Sequence, residues 1–371
     1  MKAFAQSYGG GATGRDSARS HGPAMMFTMD DRNAYILNAL WTKHYDLGRI
    51  LRFRHVTRGR QVTAYELLTA EQHEYTAYLY PSHFDAAQLE RVGKAQEALS
   101  GQSFPVTAPL VGRQESGRTG MVMVGPQGAH LMVSTNPEGQ YLLPDQWTLP
   151  DLSLLGLRLA WMHSLLAELV PWPTRPVPPT AAAEFHSSLT IWNHDPERQK
   201  KLTLNPDQVR HLEHRLEQIC TRGGNSRSEK GGHENEAVTG AGSGGKVRGG
   251  WVHGDIQPAA ILLDHEHHIR TIVDWALLHT GESLEDVVDA FVHWCVATDG
   301  TVTDDRGRAL LEAYRSLRPI KPGAWADAVT LWLARRWVDF VASRRILPRG
   351  YLTYLADPEA LSEALQFCDT R

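Results

Sequence analysis

The stretch Val252-His253-Gly254-Asp255-Ile256-Gln257-Pro258-Ala259-Ala260-Ile261-Leu262-Leu263-Asp264, taken up again at Ile272-Val273-Asp274-Trp275, decides how this chain is read. It opens on a His-Gly-Asp turn, in which Gly254 lets the backbone turn tightly and His253 braces the loop from within. An apolar run of strand length follows at 261–264, then the polar turn His265-Glu266-His267-His268, then a second strand over 269–274 that ends on a carboxylate. A lone His-Gly-Asp turn is common between elements, and a strand-terminal aspartate often caps a turn. What sets this pair apart is the strand, turn and strand that separate the two aspartates.

That spacing is the one phosphoryl transfer to an alcohol uses. In a His-x-Asp-x-x-x-x-Asn loop the aspartate orients the attacking hydroxyl and takes its proton, while the asparagine and a later aspartate hold metal ions on the phosphates. Asp255 falls at the base position, with His253 as its brace, and Asp274 falls at the metal position. The asparagine position is Ala260. Alanine cannot ligate a metal, so one ion loses a protein ligand; Mg²⁺ tolerates water in its shell, and a single ion held by Asp274 is physically sound. Gln257 is the nearest polar side chain in the loop, and its offset directs it away from the metal. A phosphate-positioning lysine is expected in the third strand near Tyr78, paired with Glu90 on the following helix, but residues 74–80 contain no lysine. The first turn, Arg58-Gly59-Arg60-Gln61, offers Gly59 and the Arg60 guanidinium as the candidate contacts to nucleotide phosphates.

Composition narrows the setting. The chain has 371 residues, 42% hydrophobic and 22% charged, which is ordinary for a globular protein. A formal charge of -4 gives no basic footprint for nucleic acid or an anionic membrane. Three cysteines (Cys220, Cys295, Cys368) are too few and too dispersed for a disulfide framework or a zinc site, and read as free thiols of an intracellular protein. Residues 152–170 form the most apolar segment, interrupted by Arg158, His163 and Glu168, and there is no secretory h-region, so the expected location is the cytoplasm, with no membrane partner. His163, with Leu155, Leu159 and Met162 around it, reads as a packed, hydrogen-bonded histidine, and the 265–268 turn as a solvated surface.

Residues 1–29 and 223–250 are rich in Gly and Ser and read as a disordered tail and a flexible insertion before the loop. Between residues 50 and 81 the pattern is strand-like, 84–99 reads as a helix, and 119–124 is a short strand ahead of the break Gly125-Pro126. From residue 150 onward the chain is mainly helical. The expected architecture is α+β and two-lobed: a small β-rich, nucleotide-binding N-lobe over 30–125 and a larger, mainly helical C-lobe over 126–371 that carries the loop and the acceptor.

With these residues in place, the chain resembles type II homoserine kinases within the aminoglycoside phosphotransferase and choline kinase superfamily. The resemblance runs through Tyr45-Asp46-Leu47-Gly48-Arg49, through the helix 155–163 ending in Met162-His163, and through Asp286, which falls at the family's Tyr-Asp-Leu-Ala aspartate. It continues in His293-Trp294-Cys295, in 308–314 with Arg318-Pro319, and in Leu331-Trp332-Leu333-Ala334-Arg335. It implies a protein-kinase-like fold, with ATP and Mg²⁺ in the cleft and γ-phosphate transfer to the hydroxyl of a small molecule such as an amino alcohol. It carries the base to Asp255 and the metal to Asp274. The departures fall where the chemistry lies: the family's Gly-x-Glu-Asn turn is here Gly59-Arg60-Gln61-Val62, and its Asp-Leu-Phe-Arg-Asp-Asn is here residues 255–260. The alternative expectation is a catalytically impaired pseudokinase that binds or regulates, with Ala260 as the residue that separates the two.

Overall fold

Helix α1 (Arg32–His44) lays Leu37, Leu40 and Trp41 against a sheet built from β1 (Ile50–Val56), β2 (Thr63–Thr69) and β3 (Glu74–Tyr80). In this computed structural model the described residues are 32–56, 62–113, 119–125, 128–170, 180–199, 205–225, 250–297, 299–321, 323–343 and 351–370. The tail, the turn carrying Gly59 and Arg60, and residues 226–249 of the insertion lie outside them. The period of two along β3 explains its two faces: Tyr75, Ala77 and Leu79 pack under α1, while Tyr78 and Tyr80 turn to the other side, against Met132 and Leu89. Asp85 caps helix α2 (Ala86–Gly101) by accepting the N–H groups of Ala87 and Gln88.

Two short strands, β4 (Gly112–Arg113) and β5 (Thr119–Gly120), form a ribbon of their own. Then β6 (Met123–Val124) and β7 (His130–Thr135) complete a five-stranded antiparallel sheet in the order β1-β2-β3-β7-β6. The break at Gly125 therefore lies between β6 and β7, where Val124 pairs with His130. The sheet runs past the boundary expected at residue 125, and the step from sheet to helices falls at 136–148. The reason is non-local: 130–135 is held by its ladder with β3, which a local Gly-Pro signal does not report.

The helical part begins with α3 (Leu149–Leu169), whose buried Leu152, Leu155, Leu159, Met162 and Leu166 repeat at helical spacing. By length and hydropathy α3 could cross a membrane, yet those side chains form the middle of the largest core. Three helices follow, α4 (Thr180–Asn193), α5 (Pro196–Gln199) and α6 (Pro206–Asn225). The strand pair β9 (Ile261–Leu263) and β10 (Ile269–Ile272) lies beyond the loop, and β8 (Gly250–Val252) pairs with β11 (His279–Gly281). Helices α7 (Leu284–Cys295), α8 (Asp304–Leu317), α9 (Ala324–Ser343), α10 (Tyr351–Ala356) and α11 (Pro358–Thr370) close the fold. Val92, Ala95 and Leu99 of α2 join the same core as α3, α7, α8 and α9, so α2 packs onto the helical lobe as well as under the sheet.

Candidate active site

The loop between β8 and β9 is held from beneath by one carboxylate. Asp286, in the first turn of α7, accepts the backbone N–H of His253 (2.7 Å) on Oδ2 and that of Gly254 (2.9 Å) on Oδ1. His163 of α3 adds a third bond, Nε2 to Asp286 Oδ2 at 3.0 Å, and is itself fixed by the Tyr314 hydroxyl at 3.1 Å. Burial alone would push Asp286 up, but these bonds outweigh it and hold its carboxyl below the ordinary value. Burial lowers His163 despite Asp286 beside it, so the imidazole is neutral, donating from Nε2 and accepting from Tyr314 at Nδ1. The packed histidine expected on this helix is therefore the brace of the carboxylate that braces the loop.

His253 works from inside, as expected. Fully buried, it is held below its ordinary value by desolvation. Its Nδ1 accepts the Asp255 N–H at 3.3 Å and its Nε2 donates to the Val273 carbonyl at 3.0 Å. Val273 N–H in turn donates to the Ala260 carbonyl at 2.9 Å, so the loop and the strand end that carries Asp274 are locked together. Gly254 sits at φ +82°, and a Cβ there would lie 2.7 Å from the Leu277 carbonyl, so glycine is required on both counts.

Asp255 is 3% exposed, and both carboxylate oxygens have side-chain donors. Arg336 Nη1 reaches Oδ1 at 3.1 Å, and Gln257 Nε2 reaches Oδ2 at 2.9 Å. Gln257 thus points to the base, a contact its offset in the sequence does not reveal. Arg336 lies on α9, also bonds both oxygens of Asp289 on α7, and stands 3.5 Å from Asp339. Desolvation opposes its charge, but Asp289, Asp255 and Asp339 raise it further above its ordinary value. Burial pushes Asp289 up to about 7, against the pull of Arg336 and with Asp255 adding to the rise. The sequence signal for this network is the trio Arg335, Arg336 and Asp339 inside the otherwise mostly apolar stretch 328–341, since arginine is rarely fully buried unless paired.

Asp274 takes a left-handed turn (φ 66°) between β10 and a 3₁₀ turn at Trp275–Leu277. It lines a narrow cleft with Tyr78, Tyr80, Gln96 and Ser134. Where a lysine is expected, β3 therefore presents tyrosines. Burial drives the Tyr80 hydroxyl well above its ordinary value, and Tyr78 and Asp274 add to the rise. Glu90 does not meet a cation from β3; its Oε1 accepts the Val122 N–H at 3.0 Å and holds the entry to β6. Gly59 and Arg60, the other expected nucleotide contacts, lie outside the described residues.

Among the described residues no group of three His, Cys, Asp or Glu side chains could form a protein-only metal cage. The donor set suits one hard divalent ion held by the Asp274 carboxylate and completed by phosphate and water oxygens, which is how Mg²⁺ is commonly bound. Ala260, fully buried, adds no ligand. In the 265–268 turn, His265 and His268 are solvated as expected, but His267 bonds Asp151 Oδ2 at 2.9 Å and so tethers the β9–β10 hairpin to the start of α3.

Residues 52–320 match the model of the phosphotransferase enzyme family known as APH. The chain belongs to that family. This family member is similar to a homoserine kinase of Acidiphilium cryptum, 25% identical over 312 residues that cover 82% of this chain and 84% of that protein. A homoserine kinase of Methylobacillus flagellatus is 27% identical over 120 residues; that match spans 32% of this chain and only 37% of the relative. In fold the chain is similar to the amicoumacin kinase hAmiN in complex with AMP-PNP, Ca²⁺ and Ami, with a TM-score of 0.58, 13% identity, and 91% and 93% of the two chains covered. The two-lobed, protein-kinase-like architecture is thereby established.

Proposed function

We propose that this chain transfers the γ-phosphate of ATP to the hydroxyl of a small amino alcohol of the homoserine class, with Asp255 as base and Asp274 as the holder of Mg²⁺. The observation that carries the reading is Asp255 itself: a buried carboxylate gripped on both oxygens, in a loop that Asp286 braces and that His253 bonds to Val273, the neighbour of Asp274. The homoserine kinases among its relatives support the acceptor class. Asp255 orients the acceptor O–H and receives its proton as the oxygen attacks. Arg336 and Gln257 keep that carboxylate in one rotamer, so that little reorganisation is needed when the acceptor docks. ATP with its divalent ion supplies the phosphoryl group, whose bond to the β-phosphate oxygen breaks as the bond to the acceptor oxygen forms.

ADP release from Mg-ATP with L-homoserine and a panel of amino alcohols tests the reading, with Asp255→Asn as control. Acceptor-dependent release that falls about 100-fold or more in the control, the scale of a lost general base, is expected. Ala260 favours a second reading, a pseudokinase that binds nucleotide without turnover, because that position offers no ligand. Equal, background-level release from wild type and control with every acceptor would favour it.

A further inference from the structure

We propose that Arg336 is the positioning residue of the base: from α9 it delivers the cation that the loop lacks, and so aims Asp255 at the acceptor hydroxyl. The inference rests on the phosphotransferase reading for what Asp255 does, and on geometry for how it is held. Residues 253–260 contain no lysine or arginine. The only guanidinium bonded to Asp255 among the contacts of the described residues comes instead from a helix 81 residues further along the chain.

The geometry separates orienting from pointing. Nε and Nη2 of Arg336 both bond Asp289, Nε at 3.1 Å to Oδ1, and this two-pronged contact fixes the plane of the guanidinium. The Trp332 indole N–H, one helical turn earlier on α9, donates to the same Asp289 Oδ1 at 2.9 Å and keeps that carboxylate from turning. With the plane set, Nη1 is left to face Asp255 Oδ1 at 3.1 Å and Asp339 Oδ2 at 3.5 Å. Arg336 is 6% exposed and Asp289 1%, so solvent does not screen the arrangement. A lysine carries the charge but has no fork, and cannot grip Asp289 and Asp255 in one fixed plane.

The bland reading is that Arg336 only neutralises Asp289. The paired variant Arg336→Met with Asp289→Asn decides between the two, because it removes one charge of each sign and leaves Asp289 with no charge that needs a cation. Cooperative melting, an ATP KM within about twofold of wild type, and a kcat for acceptor-dependent ADP release lower by about 100-fold are expected, the scale of a misaimed catalytic group. Wild-type kcat in the paired variant would overturn the proposal. Should the pair not fold, Arg336→Lys serves: the ATP KM should hold while kcat falls about tenfold, and an unchanged kcat would overturn the proposal. If wild type itself releases no ADP with any acceptor, the phosphotransferase reading fails, and amide exchange in whichever variant folds still tests Arg336. Faster exchange confined to residues 254–257 supports it, and unchanged exchange there overturns it.

Discussion

At the scale of single residues, the proposed base Asp255 has a donor on each oxygen, and the proposed metal position has alanine where the loop's spacing calls for asparagine. Ala260 is buried, its N–H donates to the Gln257 carbonyl at 2.8 Å, and its own carbonyl accepts from Val273. The Ala260 N–H and one lone pair of its carbonyl are thus already engaged. Ala260→Asn restores the residue type that the loop's spacing calls for. The Mg²⁺ concentration for half-maximal ADP release is expected to fall about tenfold, the order of a restored metal contact, with some loss of Tm from the added volume. A lower Tm with the Mg²⁺ dependence unmoved would show that position 260 does not face the ion.

At the scale of elements, α3 and α8 set how tightly the helical lobe closes under the loop. Gly156 lies where they cross: a Cβ there would come within 2.2 Å of the Leu310 carbonyl and 3.0 Å of the Tyr314 nitrogen, both backbone atoms. Alanine is better than glycine in a helix by about 1 kcal/mol, so propensity and packing have opposite signs. Packing wins, because backbone cannot swing aside, and Gly156→Ala should cost about 1–3 kcal/mol net. The denaturant midpoint measures it, and a stabilised variant would refute the crossing as described. Because Tyr314 also fixes His163, the same substitution should reach the Asp286 brace. Much at this scale is legible in the chain itself. The β9–β10 hairpin, α2, α3, α6, α7, α8 and α9 follow from periodicity, since each element's pattern is local, whereas α4, α5, α10 and α11 do not stand out that way. What is not legible is pairing over distance: β7 within the sheet, His267 on Asp151, and Arg336 across 47 residues to Asp289. Asp286 stands out only through resemblance, because nothing within α7 announces that two loop N–H groups will point at it.

At the scale of the whole molecule, α2, the segment after it and the segment after β7 are bonded to the β9–β10 pair and the turn after Asp274. Gln140 and Leu263 exchange both backbone bonds at 2.8 and 3.0 Å, Ile272 N–H donates to the Pro105 carbonyl at 2.7 Å, and Gln88 of α2 reaches the Leu278 carbonyl at 2.5 Å. These bonds place Asp274 under the sheet, but they do not govern global stability against pH. Glu282 bears on that. It lies between β11 and α7, and burial followed by repulsion from Glu285 raises its carboxyl from 4.5 to about 7, although Arg318 and the Leu284 N–H oppose the rise. A carboxyl whose folded value exceeds its unfolded one binds more protons when folded, so stability falls as pH climbs from about 4.5 to about 7 and stays lower above that. Glu282→Gln removes the titration and keeps an acceptor for Leu284. The variant's advantage over wild type should therefore be small at pH 5 and grow by about 1–2 kcal/mol by pH 8. Melting curves of both proteins across that range measure it. An advantage that stayed flat with pH would mean that Glu282 is not the strained carboxyl.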